Sequence, residues 1–162
     1  FRSVMANGSL NYTVKGICIG MKVTWNYTPP TNGGDTFTSI KKGSKATLKI
    51  VQDEKNGFVK ELYIQKEPDI DNRTFEAQLQ KTVEQLQITY PFLSVKNKKN
   101  GTYLTDIPQE KRLGHEEHFS KVAKAFLHYV HNQDMPEWEN ENTLAKYYIT
   151  TTAVEMAKKG NK

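Results

Sequence analysis

The side chains best suited to chemistry fall in two places. Asp35 and Thr36 follow Pro29-Pro30 and Asn32-Gly33-Gly34, with Trp25 and Tyr27 shortly upstream. A carboxylate accepts O–H hydrogen bonds while an aromatic ring covers C–H faces, so this set suits the hydroxyls of a sugar or polyol. The second place is His115-Glu116-Glu117-His118. Zinc proteases space their histidines i, i+4 with glutamate directly after the first, whereas here the spacing is i, i+3, so a metalloprotease is excluded. His128 and His131 repeat the three-residue offset without a third ligand, and no metal is expected. Glu116 and Glu117 have a structural use, because negative charge in a first helical turn opposes the helix dipole. A ligand role for His115 and His118 depends on where that helix start points. Gly16 and Gly20 lack the spacing of a phosphate-binding loop, and no Ser/His/Asp or Cys/His order can be defended, so no catalytic residue is assigned.

The elements that must position these groups follow from hydrophobic period. Ile17, Ile19, Met21, Val23, Trp25 and Tyr27 alternate with Cys18, Gly20, Lys22, Thr24 and Asn26, which predicts a long strand with one buried face, placed here at the centre of an antiparallel sheet. Pro29-Pro30 then end it, and Asn32-Gly33-Gly34 permit a sharp turn ahead of Asp35. Leu10, Tyr12 and Val14 predict a strand that bends at Gly16 into the central one. Ala46, Leu48 and Ile50 give another, and Asp53 to Gly57 reads as a hairpin loop leading back through Phe58 to Gln65. From Asn72 or Thr74 as N-cap, Phe75, Leu79, Val83, Leu86 and Tyr90 recur at helical spacing until Pro91. The stretch 90–106 reads as an irregular connection with one edge strand, Lys96 to Lys99 forming a solvated tip. Phe119, Val122, Ala123, Phe126 and Val130 give a second helix with a buried face over 115–131. A third begins near Asn142, with Ala145, Ile149, Thr152, Ala153 and Met156 on one side and Gly160 past its end. Strands first and helices afterwards indicate an α+β fold: an open-faced, mostly antiparallel sheet with about three helices packed on one face. The other face, carrying Thr47 and Lys49 with Lys22, Thr24 and Asn26, is then available for a partner.

At 162 residues, 36% hydrophobic and 25% charged, the chain is sized for one domain over 1–162 with one core. Its single cysteine, Cys18, cannot make an intrachain disulfide, which suits a cytoplasmic setting and leaves a periplasmic one open. The +5 formal charge is spread along the chain without aromatic interleaving, so no nucleic-acid partner is expected. No run reaches the roughly 20 apolar residues of a membrane span, and no membrane partner is expected either.

Trp25-Asn-Tyr-Thr-Pro-Pro30, Gly33-Gly-Asp-Thr36, Lys42-Gly-Ser-Lys-Ala46, Gly114-His-Glu-Glu-His-Phe119 and Leu144-Ala-Lys-Tyr-Tyr148 together resemble the C-terminal domain of Gfo/Idh/MocA-type oxidoreductases, in particular a subgroup found in Bacteroidetes. The resemblance spans most of the chain. It implies an open antiparallel sheet whose uncovered face builds homo-oligomers, and an N-terminal Rossmann domain, missing from this chain, that binds NAD or NADP. The family's Glu-Lys-Pro motif belongs to that other part, and Lys66-Glu67-Pro68 has its letters in the wrong order. The Asp-x-x-x-His pair of the family is also missing. The resemblance therefore implies a substrate-binding and oligomerisation domain of a sugar or polyol oxidoreductase, holding no cofactor itself, with Asp35, Thr36, His115 and His118 turned toward substrate. The competing reading is a stand-alone carbohydrate-binding or interaction module that uses Trp25 and Tyr27 as a platform. In the first reading Trp25 is core; in the second it is solvent-accessible.

Overall fold

The computed structural model describes residues 7–31 and 33–160; Asn32, read above as a turn residue, lies outside them. Within the span 1–162 read as one domain, contacts gather in two compact units, Pro29–His115 and a unit made of Phe1–Thr28 with Glu116–Lys162. The elements are α+β throughout, with every strand pairing antiparallel.

The unit Pro29–His115 is built on a five-stranded sheet. Its strands are β3 (Phe37–Lys42), β4 (Ala46–Gln52), β5 (Glu61–Lys66), β6 (Ser94–Asn97) and β7 (Thr102–Asp106), in the spatial order β3-β4-β5-β7-β6. Alternation works here as expected: Leu48, Ile64 and Tyr103 stand side by side in register, and α1 (Asn72–Gln87) packs on their face. Phe75 of α1 meets Tyr103 with ring centroids 5.6 Å apart. Tyr103 also donates its hydroxyl to Glu76 at 2.8 Å, and Asn97 donates to the same carboxylate at 3.3 Å, so one side chain of α1 holds both β7 and β6. The cap of α1 is Asp71, whose carboxylate accepts from the Thr74 amide at 2.8 Å, rather than Asn72 or Thr74. Stretch 90–106, expected to carry one edge strand, forms two: β6 is the edge, and β7 lies inside the sheet. The Lys96 to Lys99 segment does lead into their hairpin turn, where Lys99, Asn100 and Gly101 all have positive φ.

In the other unit the long strand read over 17–27 is shorter and is not central. It ends at Val23 as β2 (Ile17–Val23) and pairs with β1 (Gly8–Val14) alone, in a separate two-stranded sheet. The physical reason is the turn. Lys15 and Gly16 both have positive φ, at 49° and 79°, between partners Val14 and Ile17. This is the two-residue geometry that matches strand twist and folds a chain straight back on itself. Asn7 closes the open end, donating to the Asn26 side chain at 3.0 Å and accepting from the Trp25 amide at 2.6 Å. Trp25 itself is 74% exposed, against the expectation of a core residue.

Helix α2 (His115–Asn132) starts where the sequence places it, but no residue of its apolar stripe is buried. Helix α3 (Glu137–Gly160) starts five residues earlier than expected. Pro136 stands just before it, and its carbonyl accepts from the Glu139 amide at 3.0 Å, so that proline opens the helix instead of only separating two.

Lys66 is only 9% exposed, and its ammonium donates to the backbone carbonyls of Ile70 at 2.5 Å, Glu67 at 3.0 Å and Pro68 at 3.5 Å. It thereby fixes the bend from β5 into α1. Lys66→Met should strip these carbonyls of their donor and cost about 1–3 kcal/mol of stability by denaturant unfolding; an unchanged midpoint would remove this role.

Candidate functional site

Antiparallel pairing puts the start of β3, the end of β4, the start of β5 and the end of β7 at one end of the five-stranded sheet. Asp35 and Thr36 lie directly before β3 and are exposed, with no side-chain hydrogen-bond partner among the described residues. Their loop is braced from behind. The Gly33 amide donates to the Pro30 carbonyl at 2.7 Å, and a Cβ at Gly33 would sit 2.7 Å from that same oxygen, so the tight turn needs glycine for space. Gly34 lies against Phe58, where an added Cβ would be 3.6 Å from the Phe58 side chain.

Arg112 carries the chain from β7 toward α2 along the same end. Its guanidinium donates to the carbonyl of Lys60, just before β5, at 2.8 Å and to that of Ile107 at 3.2 Å. Lys60 in turn places its ammonium 5.2 Å from the Phe37 ring centroid. His115 follows Arg112 by three residues, so the fold brings the Asp35 loop and the approach to His115 to one end of one sheet. His115 and His118 are both exposed, in the first turn of α2, and His118 belongs to the other compact unit. Sequence reasoning missed Arg112, Lys60 and Phe58. Their contacts are to backbone carbonyls, a ring face and a glycine, for which sequence carries no periodic signal.

The sheet face turned away from α1 carries a second arrangement. Thr47, Lys49, Asp53, Lys55, Glu61, Tyr63, Gln65 and Thr102 line a shallow concavity of about 600 Å³. Its polar groups are paired: the Tyr63 hydroxyl donates to Glu61 at 2.6 Å, Thr47 donates to Glu67 at 2.8 Å, and Thr102 donates to the Gln65 side chain. The hydrogen bond to Glu61, with burial adding to it, pushes the Tyr63 phenol up to about 12. Lys96 and Asp106 form an ion pair at 2.7 Å on neighbouring strands.

The His128 imidazole donates through Nε2 to the Asp134 carboxylate at 3.0 Å, and among the described residues no three His, Cys, Asp or Glu side chains gather as a metal site would require. No helix of the described residues is long and apolar enough to cross a membrane. A dinucleotide does not fit the helix starts, because each carries a carboxylate where a pyrophosphate would need bare amides: Asp71 at α1, Glu116 and Glu117 at α2, Glu137 and Glu139 at α3.

The chain belongs to the putative oxidoreductase C-terminal domain family: residues 1–158 match the family model described as "Putative oxidoreductase C terminal domain". It is similar to a crystal structure of a putative oxidoreductase from Parabacteroides merdae ATCC 43184, with 39% identity and a TM-score of 0.90. That match covers 95% of this chain and 35% of the other, so this chain spans about a third of the length of its structural relative. None of the curated proteins matches.

The Tyr63 arrangement can be checked by titration. A phenol raised in the folded state adds stability that is complete below the unfolded value near 10 and is lost as pH climbs through about 12. Glu61→Gln should lower the Tyr63 transition toward 10 in an ultraviolet phenolate titration; a transition that stays in place would mean Glu61 is not its cause.

Proposed function

We propose that this chain is the substrate-binding and oligomerisation domain of a longer NAD(P)-dependent oxidoreductase of the Gfo/Idh/MocA type, acting on a sugar or polyol. The observation that carries the reading is the family match over residues 1–158, joined to a relative of known structure for which this chain accounts for only 35% of the length. The sheet-end geometry supports it: Asp35 stands exposed on a braced loop at the end from which the chain proceeds to His115.

In this reading the Asp35 carboxylate accepts hydrogen bonds from substrate hydroxyls and Thr36 adds a hydroxyl beside it, while His115 offers an imidazole from the same unit. These residues orient the reacting carbon, which is the part of catalysis that positioning supplies. Nicotinamide, bound by a Rossmann domain of the longer chain, supplies the hydride chemistry. The polar face with Lys49 and Lys55 near Asp53 and Glu61 presents both charge signs, which suits a self-complementary two-fold contact with a second copy.

A second reading has one observation in its favour. Trp25 is 74% exposed and Tyr27 40%, as a stand-alone carbohydrate-binding platform would need.

Kinetics on the longer chain separate the two. Asp35→Ala removes hydrogen bonds to a charged acceptor, worth about 1.5–3 kcal/mol, and should raise KM for the polyol by roughly 10- to 100-fold while nicotinamide affinity stays unchanged. An unaltered KM would remove Asp35 from the site. Oligosaccharide binding abolished by Trp25→Ala, with no nicotinamide bound, would favour the second reading.

A further inference from the structure

Among the described residues, helix α2 exposes an apolar stripe, and none of its side chains is buried. Val122 is 67% exposed, Phe126 64% and Val130 58%, with Leu127 at the stripe's edge at 62%. At about 100° per residue, Val122, Phe126 and Val130 fall within one narrow arc, while Lys121, Lys124 and His128 fall on the opposite side. The helix is therefore sharply two-sided. Polar residues on one side and uninterrupted Phe and Val on the other are the pattern of a helix that buries its stripe. A contiguous apolar surface of this kind marks an interface in a soluble protein.

We infer that the Val122-Phe126-Val130 stripe is the docking surface for the part of the longer polypeptide that lies outside this chain. The argument is one of length and continuity. The Parabacteroides relative keeps this fold at a TM-score of 0.90, yet 35% of its chain accounts for all of the match, so the remainder is about twice the size of the segment matched here. A domain that size on the same polypeptide meets the stripe at the high effective concentration a covalent link provides, ahead of any separate partner. The stripe carries no charge, so it suits an apolar helix or sheet face on that domain and not a phosphate or an acidic peptide. This inference rests on the reading of the chain as one domain of a longer oxidoreductase.

The test uses the longest natural chain that contains this segment. A benzophenone amino acid replaces Phe126 in one sample and Lys124, on the charged side, in another; both are irradiated in an equal mixture of light- and heavy-isotope protein. The expected result is a cross-link from position 126, within a single chain, to residues outside 1–162, with at least tenfold less from position 124. Cross-links from position 126 to a second copy, to residues 29–114, or to nothing at all would each overturn the proposal. A nicotinamide titration on the same samples keeps the two claims apart. Bound nicotinamide with an unlinked stripe would leave the oxidoreductase reading standing without this interface, and a linked stripe without nicotinamide binding would do the reverse.

Discussion

The structure depends on a shortage of burial: among the described residues, far more large apolar side chains stand exposed than buried. Among the described residues, the buried hydrophobic side chains are Val83, Tyr103 and Leu104, all in the five-stranded unit, and none is fully buried. Full burial of a large apolar side chain is worth about 1.5–3 kcal/mol. Leaving Trp25, Val122, Phe126 and Val130 more than half exposed therefore forgoes an amount comparable with the whole stability of an ordinary domain. Where the chain does close on itself, it does so around Tyr103. The ring meets Phe75, the hydroxyl reaches Glu76, and that one carboxylate ties α1 to two strands. Burial and the bond to Glu76 both hold the Tyr103 phenol above its ordinary value.

Much of this was legible in the sequence, for a physical reason. In β4 and in α1 one face must be apolar and the other wet, so the period of 2 or 3.6 is written directly into residues 46–52 and 72–87. The same rule misled at β2. Alternation shows that a strand has two different faces, but it does not say how many neighbours the strand has, and Lys15-Gly16 folds β2 back on β1 alone. The other departures are local. Asp71 takes the cap because its short carboxylate reaches the Thr74 amide, and β7 lies inside the sheet because Tyr103 and Leu104 pack on opposite faces.

The candidate site shows the same division. Pro29 to Asp35 declares a turn by composition, and its place at a strand end follows once β3 begins at Phe37. What composition could not reveal is that Arg112, through backbone carbonyls of Lys60 and Ile107, brings the approach to α2 to that same end. Long-range ties from a side chain to main chain leave no pattern in sequence. They decide which loops reach the same end of the sheet, while the turn residues decide only that loops exist.

A domain that needs covering should reveal it in its surface hydrophobicity. Fluorescence of an apolar dye such as ANS, measured with this 162-residue chain and with the longer natural chain at equal concentration, tests that most directly. The account predicts strong dye binding by the short chain while its near-ultraviolet circular dichroism still reports fixed packing, and a loss of most of that binding in the longer chain. Weak binding by the short chain as a monomer, or equal binding by both, would contradict it.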